Sequence, residues 1–87
     1  GNAYPNPFNH NVTIPIIMNE NRAIQYAIYD INGKMIVEGQ NRSETSGTIN
    51  IHWEGLTSQG KPAPAGAYFF KLDGNGESQT KKILYLK

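Results

Sequence analysis

Apolar residues recur at every second position in four separate windows of this 87-residue chain, and nowhere do they hold a helical spacing for more than about one turn. A period of two puts successive side chains on opposite faces of a strand, so each window offers one apolar face and one polar face. In TIPIIM the inward set is Ile14, Ile16 and Met18, and in AIQYAIYD it is Ile24, Tyr26 and Ile28. TINIHW contributes Ile49, Ile51 and Trp53, and AYFFKLD contributes Tyr68, Phe70 and Leu72. Asn32-Gly33 is the chemistry of a tight hairpin, because both residues tolerate positive φ, and KMIVEG then returns antiparallel. The polar stretch QNRSETSG separates that hairpin from TINIHW. EGLTSQGKPAPAG carries too many breakers for a helix and is long enough to cross between two sheets. GNG turns the chain into a last strand, ESQTKKILYLK. The expectation is an all-β fold, a small antiparallel sandwich of six to seven strands with turns about every 8 to 12 residues. Pro15 falls on the outward parity of the first strand and lacks an N–H, so that strand is expected to pair on one side only at this point.

A chain of this length holds one hydrophobic core, and residues 2–87 are read as a single domain. Without cysteine there is no disulfide, thiolate metal site or thiol nucleophile, so apolar burial must carry the stability. Trp53 is expected to matter most, at about 3 to 5 kcal/mol for truncation to alanine. Eight basic residues against seven acidic ones give little long-range attraction for nucleic acid or an anionic membrane, and neither is expected as a partner. No apolar run approaches the roughly 20 residues that span a bilayer, so no membrane insertion is expected. An export peptide, if the protein is exported, is expected upstream of Gly1.

Candidates for chemistry are few. His10 and His52 are far apart in sequence and have no neighbouring carboxylate cluster, so they read as surface groups and no metal or other cofactor is expected. DINGKMIVEG fails as a calcium loop, because its glycine stands fourth from Asp30 where such a loop needs it sixth. The serines Ser43, Ser46, Ser58 and Ser78 lie outside any Gly-x-Ser-x-Gly turn. Asp30 and Glu54 each sit near a turn glycine, where an acidic side chain normally bonds to backbone. No catalytic residue is expected. NVT at Asn11 and NRS at Asn41 fit the glycosylation sequon, a pattern short enough to arise by chance. Tyr29, Phe69 and Tyr85 remain for the outer face, where aromatics either form a sugar platform or simply pack at sheet edges. Lys81, Lys82 and Lys87 suit a terminal edge strand, whose lysines discourage unwanted strand pairing.

The opening stretch YPNPFN is stiff before it folds. Pro5 and Pro7 hold φ near about −65° and push Tyr4 and Asn6 out of the helical region. Asn6 and Asn9 can bond to backbone N–H groups two residues on, and Tyr4 and Phe8 are then available to cap an open end of the sandwich.

These residues also carry a resemblance. YPNPFN, a YDINGK hairpin, WEG, GKPAPAGAYFFKL and a closing TKKILYLK together resemble the type A C-terminal sorting domain of the type IX (Por) secretion system, a family of the Bacteroidetes and related bacteria. The likeness runs from Tyr4 to Lys87. It implies an immunoglobulin-like β-sandwich at the C-terminus of secreted proteins, carried through the periplasm of a Gram-negative bacterium and recognised by the outer-membrane translocon. It further implies that a sortase removes the domain and attaches the N-terminal cargo to the cell surface, with some cargo released. The positions carried over are Pro5, Asn6 and Pro7; Gly66, Tyr68 and Lys71; and Lys82, Ile83 and Leu84 with Lys87, expected as the translocon-recognition set. Glu54 in place of a frequent aspartate, His10 in place of a common proline, and Pro15 depart from the pattern. Recognition is expected through the rigid opening turn and through an unpaired edge of the final strand, open to strand addition. Two other readings stay open: an immunoglobulin-like spacer or carbohydrate-binding module of a secreted enzyme, and a capping module of the flagellar-hook kind.

Overall fold

The computed structural model describes residues 3–18, 22–43, 47–74 and 77–86. The expectations for Met18 as an inward side chain, the turns at 19–21 and 75–76, the side chains of Asn41, Ser43 and Ser78, and Ser46 and Lys87 lie outside it. Six strands form two antiparallel sheets: β1 (Val12–Met18), β2 (Arg22–Asp30), β3 (Met35–Ser43), β4 (Gly47–Trp53), β5 (Gly66–Gly74) and β6 (Glu77–Tyr85). β1 pairs with β4 in a two-stranded sheet, and the four-stranded sheet has the order β3-β2-β5-β6. The alternating windows are these strands. Their inward sets meet in one core, with Val12, Ile14 and Ile16 of β1 and Ile51 and Trp53 of β4 facing Ile24, Ile28, Tyr68, Phe70, Leu72 and Ile83.

Three details depart from the sequence expectation. β3, an edge strand, runs on through Gln40 to Ser43, whose backbones pair with those of Gln25 to Arg22, because the ladder is made by main-chain groups and needs no apolar alternation. The hairpin at Asn32-Gly33 is looser than a two-residue turn: Gly33 N–H donates to the Asp30 carbonyl at 3.0 Å, Asp30 N–H to the Lys34 carbonyl at 2.9 Å, and Gly33 takes φ +82°. This is a type I turn followed by a glycine bulge, and the Asp30 carboxylate braces it by accepting from Asn32 N–H and Lys34 N–H, both at 2.9 Å. Tyr26 is only half-buried, since it lies across Gly39, where an added Cβ would stand 2.5 Å from its hydroxyl.

Pro15 behaves as its chemistry requires. It faces Asn50 of β4 on one side, and its carbonyl on strand β1 accepts from Lys81 Nζ at 2.9 Å. The segment after β4 crosses between the sheets as expected. It forms its own turn, with Leu56 bridged to Pro62 and Gly60 N–H donating to the Thr57 carbonyl at 2.9 Å, and Ser58 N–H ties it to Ile36 of β3 at 3.1 Å.

Candidate recognition surface

Proline at positions 5 and 7 removes two N–H groups from the opening segment, so its remaining polar groups must find partners elsewhere. Both bonds, Tyr4–Pro5 and Asn6–Pro7, are cis. Tyr4 exchanges two backbone hydrogen bonds with Thr13 of β1, at 2.9 and 2.8 Å. Asn6 turns the opposite way: its Nδ2 donates to the Lys82 carbonyl at 3.0 Å and its Oδ1 accepts from Leu84 N–H at 2.9 Å. Phe8 continues the pairing, donating its N–H to the Leu84 carbonyl at 2.9 Å and accepting from Leu86 N–H at 2.8 Å. Seven residues thus stitch one sheet to the other along a single flank.

Two expectations are corrected here. The outer edge of the last strand is not open to strand addition between Lys82 and Leu86, because the opening segment already occupies its main-chain groups. Asn6 does not build a local turn; its amide has the donor and acceptor of a peptide group and stands in for one on the β6 edge.

Below the seam is an aromatic cluster. Phe8 is 1% exposed, stacks on Tyr85 with centroids 4.7 Å apart, and lies 5.6 Å from Trp53. Tyr85 is therefore a core residue and not an outer-face aromatic. Tyr4 does not cap the sandwich; it is 54% exposed. Trp53 Nε1 donates to the Leu56 carbonyl at 2.9 Å and its ring meets Tyr68 edge-on at 5.1 Å. Gly55 lies directly against Tyr85: an added Cβ would come within 2.7 Å of that ring, and its φ of +76° already disfavours any side chain. Tyr68 donates its hydroxyl to the Pro64 carbonyl four residues back, a corner of the kind found in immunoglobulin-like sandwiches. Burial first, then the nearby Asp30 and Tyr85, raise its pKa.

The residues expected to carry recognition divide by location. Pro5, Asn6, Pro7, Lys82 and Leu84 are exposed and share the sealed flank, with Tyr4 and Leu86 beside them. A hollow of about 610 Å³ opens there between Tyr4, Asn6, Lys81 and Lys82. Ile83 and Tyr68 are buried in the core, and Gly66 opens β5 opposite Tyr85. Lys71 is on the outer face of β5, diagonal to Lys82 in the β5–β6 register, its Nζ 5.2 Å from the Tyr29 ring centroid. Sequence reasoning missed Leu86, which is 51% exposed; its place at the end of a strand with Leu84 was the available signal.

The histidines end nearer than their spacing suggested. His10, His52 and Glu54 line one shallow hollow, with His52 Nδ1 3.0 Å from the Thr13 hydroxyl. Among the described residues no three potential ligands are placed to hold a metal ion.

Fold and core together define a small immunoglobulin-like β-sandwich closed by its own first residues. The chain belongs to the type IX secretion-system C-terminal sorting domain family, whose model matches residues 2–86. Among solved structures it is similar to dimeric latent PorU from Porphyromonas gingivalis, with TM-score 0.78 and 18% identity over 97% of this chain and 9% of that one. It is also similar to FlgD from Xanthomonas campestris, a flagellar hook-capping protein, with TM-score 0.70 and 16% identity over 94% of this chain and 59% of the other. PorZ of Porphyromonas gingivalis, a surface component of the type IX system, gives TM-score 0.68 and 20% identity over 98% of this chain and 11% of that protein. At these identities the likenesses establish the fold. No curated protein matches the chain in sequence.

Proposed function

We propose that residues 2–87 act as a non-catalytic C-terminal signal that directs an N-terminal cargo across the outer membrane by the type IX translocon. A sortase then removes the domain and the cargo is attached to the cell surface or released. The cargo reaches the translocon from the periplasm, already folded. The observation that carries this reading is the meeting of two family blocks, Pro5–Pro7 and Lys82–Leu84, which Asn6 joins by side-chain hydrogen bonds across 76 and 78 positions of sequence. Their exposed side chains make one rigid surface, and a rigid surface loses little entropy when a partner docks. Lys71 belongs to the same recognition set from the neighbouring strand β5, on the face that Lys82 shares, and Lys82 supplies the charge beside the seam. The buried members, Tyr68 and Ile83, act by holding the strands that display the others.

A fluorescent reporter carrying an export peptide and fused upstream of this chain tests the reading in a host that possesses the system. Surface delivery is expected from the intact fusion, and removal of Ile83–Lys87 should strand a folded reporter in the periplasm. Periplasmic accumulation of the intact, folded fusion would count against it.

A further inference from the structure

The four-stranded sheet turns one face to the core, and its register lays the opposite side chains in rows. Met35, Tyr29, Phe69 and Lys82 cross the sheet in one row, and Glu38, Ala27, Lys71 and Thr80 in the next. Gln40, Gln25 and Asp73 begin a third. The centre of this face is the small side chain of Ala27, only 8% exposed, between the longer Tyr29 and Lys71. A methyl group ringed by longer side chains leaves a hollow, of about 740 Å³ here, lined by Gln25, Tyr29, Glu38, Gln40, Lys71 and Thr80 among others. That volume lies within the range of small-ligand sites.

The lining selects a ligand class. Glu38 and Asp73 against Lys71 give no attraction for an anion. The Gln25 and Gln40 amides, the Thr80 hydroxyl and the Tyr29 phenol offer donors and acceptors together, which is what a sugar ring with its own donor-acceptor hydroxyls requires. At one end Met35 and the Tyr29 ring, with Lys71 Nζ 5.2 Å from its centroid, form an apolar wall suited to the C–H face of a pyranose. We propose that this hollow binds a neutral oligosaccharide, one ring packed against Tyr29 and Met35 and the next bonded by Gln25 and Gln40. The hollow shares this outer face with Lys82 and shares Lys71 with the recognition set proposed above; amide shifts on adding sugar read its binding apart from secretion.

The test is titration of the ¹⁵N-labelled 87-residue chain with cellohexaose, xylohexaose, mannohexaose and laminarihexaose at millimolar concentration. At least one is expected to shift amides around Gln25, Ala27, Tyr29 and Gln40, and Tyr29→Ala or Gln40→Ala to weaken that binding at least about tenfold. Gln40 is exposed on an edge strand, so Gln40→Ala decides the matter if Tyr29→Ala fails to fold. No shift with any of the four, shifts confined to another face, or binding unchanged in folded variants overturns the proposal. Loss of reporter secretion in Tyr29→Ala with no sugar binding by the parent overturns it too, and makes the face a protein contact.

Discussion

Asn6 and Leu84 stand 78 residues apart, yet the Asn6 side chain accepts the Leu84 N–H at 2.9 Å while donating to the carbonyl two residues before it. One side-chain amide thereby takes the place of a missing strand on the β6 edge. Replacing Asn6 by alanine removes both bonds and should cost about 1 to 2 kcal/mol, read from urea denaturation, since each such bond contributes roughly 0.5 to 1.5 kcal/mol. Asn6→Asp keeps the acceptor for Leu84 but sets an anionic oxygen against the Lys82 carbonyl. It should be less stable than Asn6→Ala near neutral pH and recover as the carboxyl is protonated. Equal stability of the two variants across pH would contradict this geometry.

Phe8 anchors the same segment from inside. Phe8→Ala empties a site between Tyr85 and Trp53 and is expected to cost about 3 to 5 kcal/mol. In a milder variant, Phe8→Leu, hydrogen exchange at Leu86 should accelerate more than at the central β2–β5 amides, because Leu86 N–H depends on the Phe8 carbonyl. Uniform acceleration would show that the seam and the sheet open only together.

Two glycines with nearly the same backbone separate strain from contact. Gly55 and Gly60 have φ of +76° and +78°, but only Gly55 has a neighbour, the Tyr85 ring, where a Cβ would go. Gly60→Ala should therefore lose about 1 kcal/mol from backbone strain alone, and Gly55→Ala clearly more, about 2 to 4 kcal/mol in all. Thermal denaturation of the two variants side by side reads the difference, and equal losses would mean that Tyr85 yields freely.

Alkaline stability depends on Tyr68. Its pKa is raised above the ordinary 10.0, first by burial and then by Asp30 and Tyr85. Between those two values the unfolded chain gives up this proton and the folded chain keeps it, so stability is full below 10.0 and falls as pH rises through the window. Lys81 works in the other direction: burial lowers its pKa below 10.5, so its contribution to stability rises with pH up to that value. Tyr68→Phe lacks the hydroxyl bond to Pro64 but also the titration. The stability gap between parent and variant should narrow from about pH 9 to about pH 11, and a constant gap in denaturant titrations would rule out a raised Tyr68 pKa.

The strands were legible because a two-residue period is a local property. Ile14, Ile16, Ile51, Trp53, Phe70 and Leu72 declare their face from their immediate neighbours. Tyr85 was legible in principle, since counting by two from Ile83 puts it inside. The Asn6 clamp was not. A short polar side chain after proline satisfies a local turn as readily as a distant strand, and only the closed sandwich brings the β6 edge within its reach. For the same reason the free edge expected of the last strand was wrong: whether an edge is covered depends on where a remote segment lies. Ala27 carried no signal of the hollow above it, because its meaning comes from Glu38 and Lys71 on the strands either side.

Recognition, on the function proposed, falls on an exposed surface shared by the opening segment and the last strand. It is tested most directly by surface delivery of a reporter fused to the double variant Lys82→Glu, Leu84→Ser, whose side chains point away from the core. Melting of the purified domain should shift by no more than a few degrees while delivery falls to a small fraction of the parent. Full delivery from that folded variant would contradict the assignment of this flank as the recognition surface.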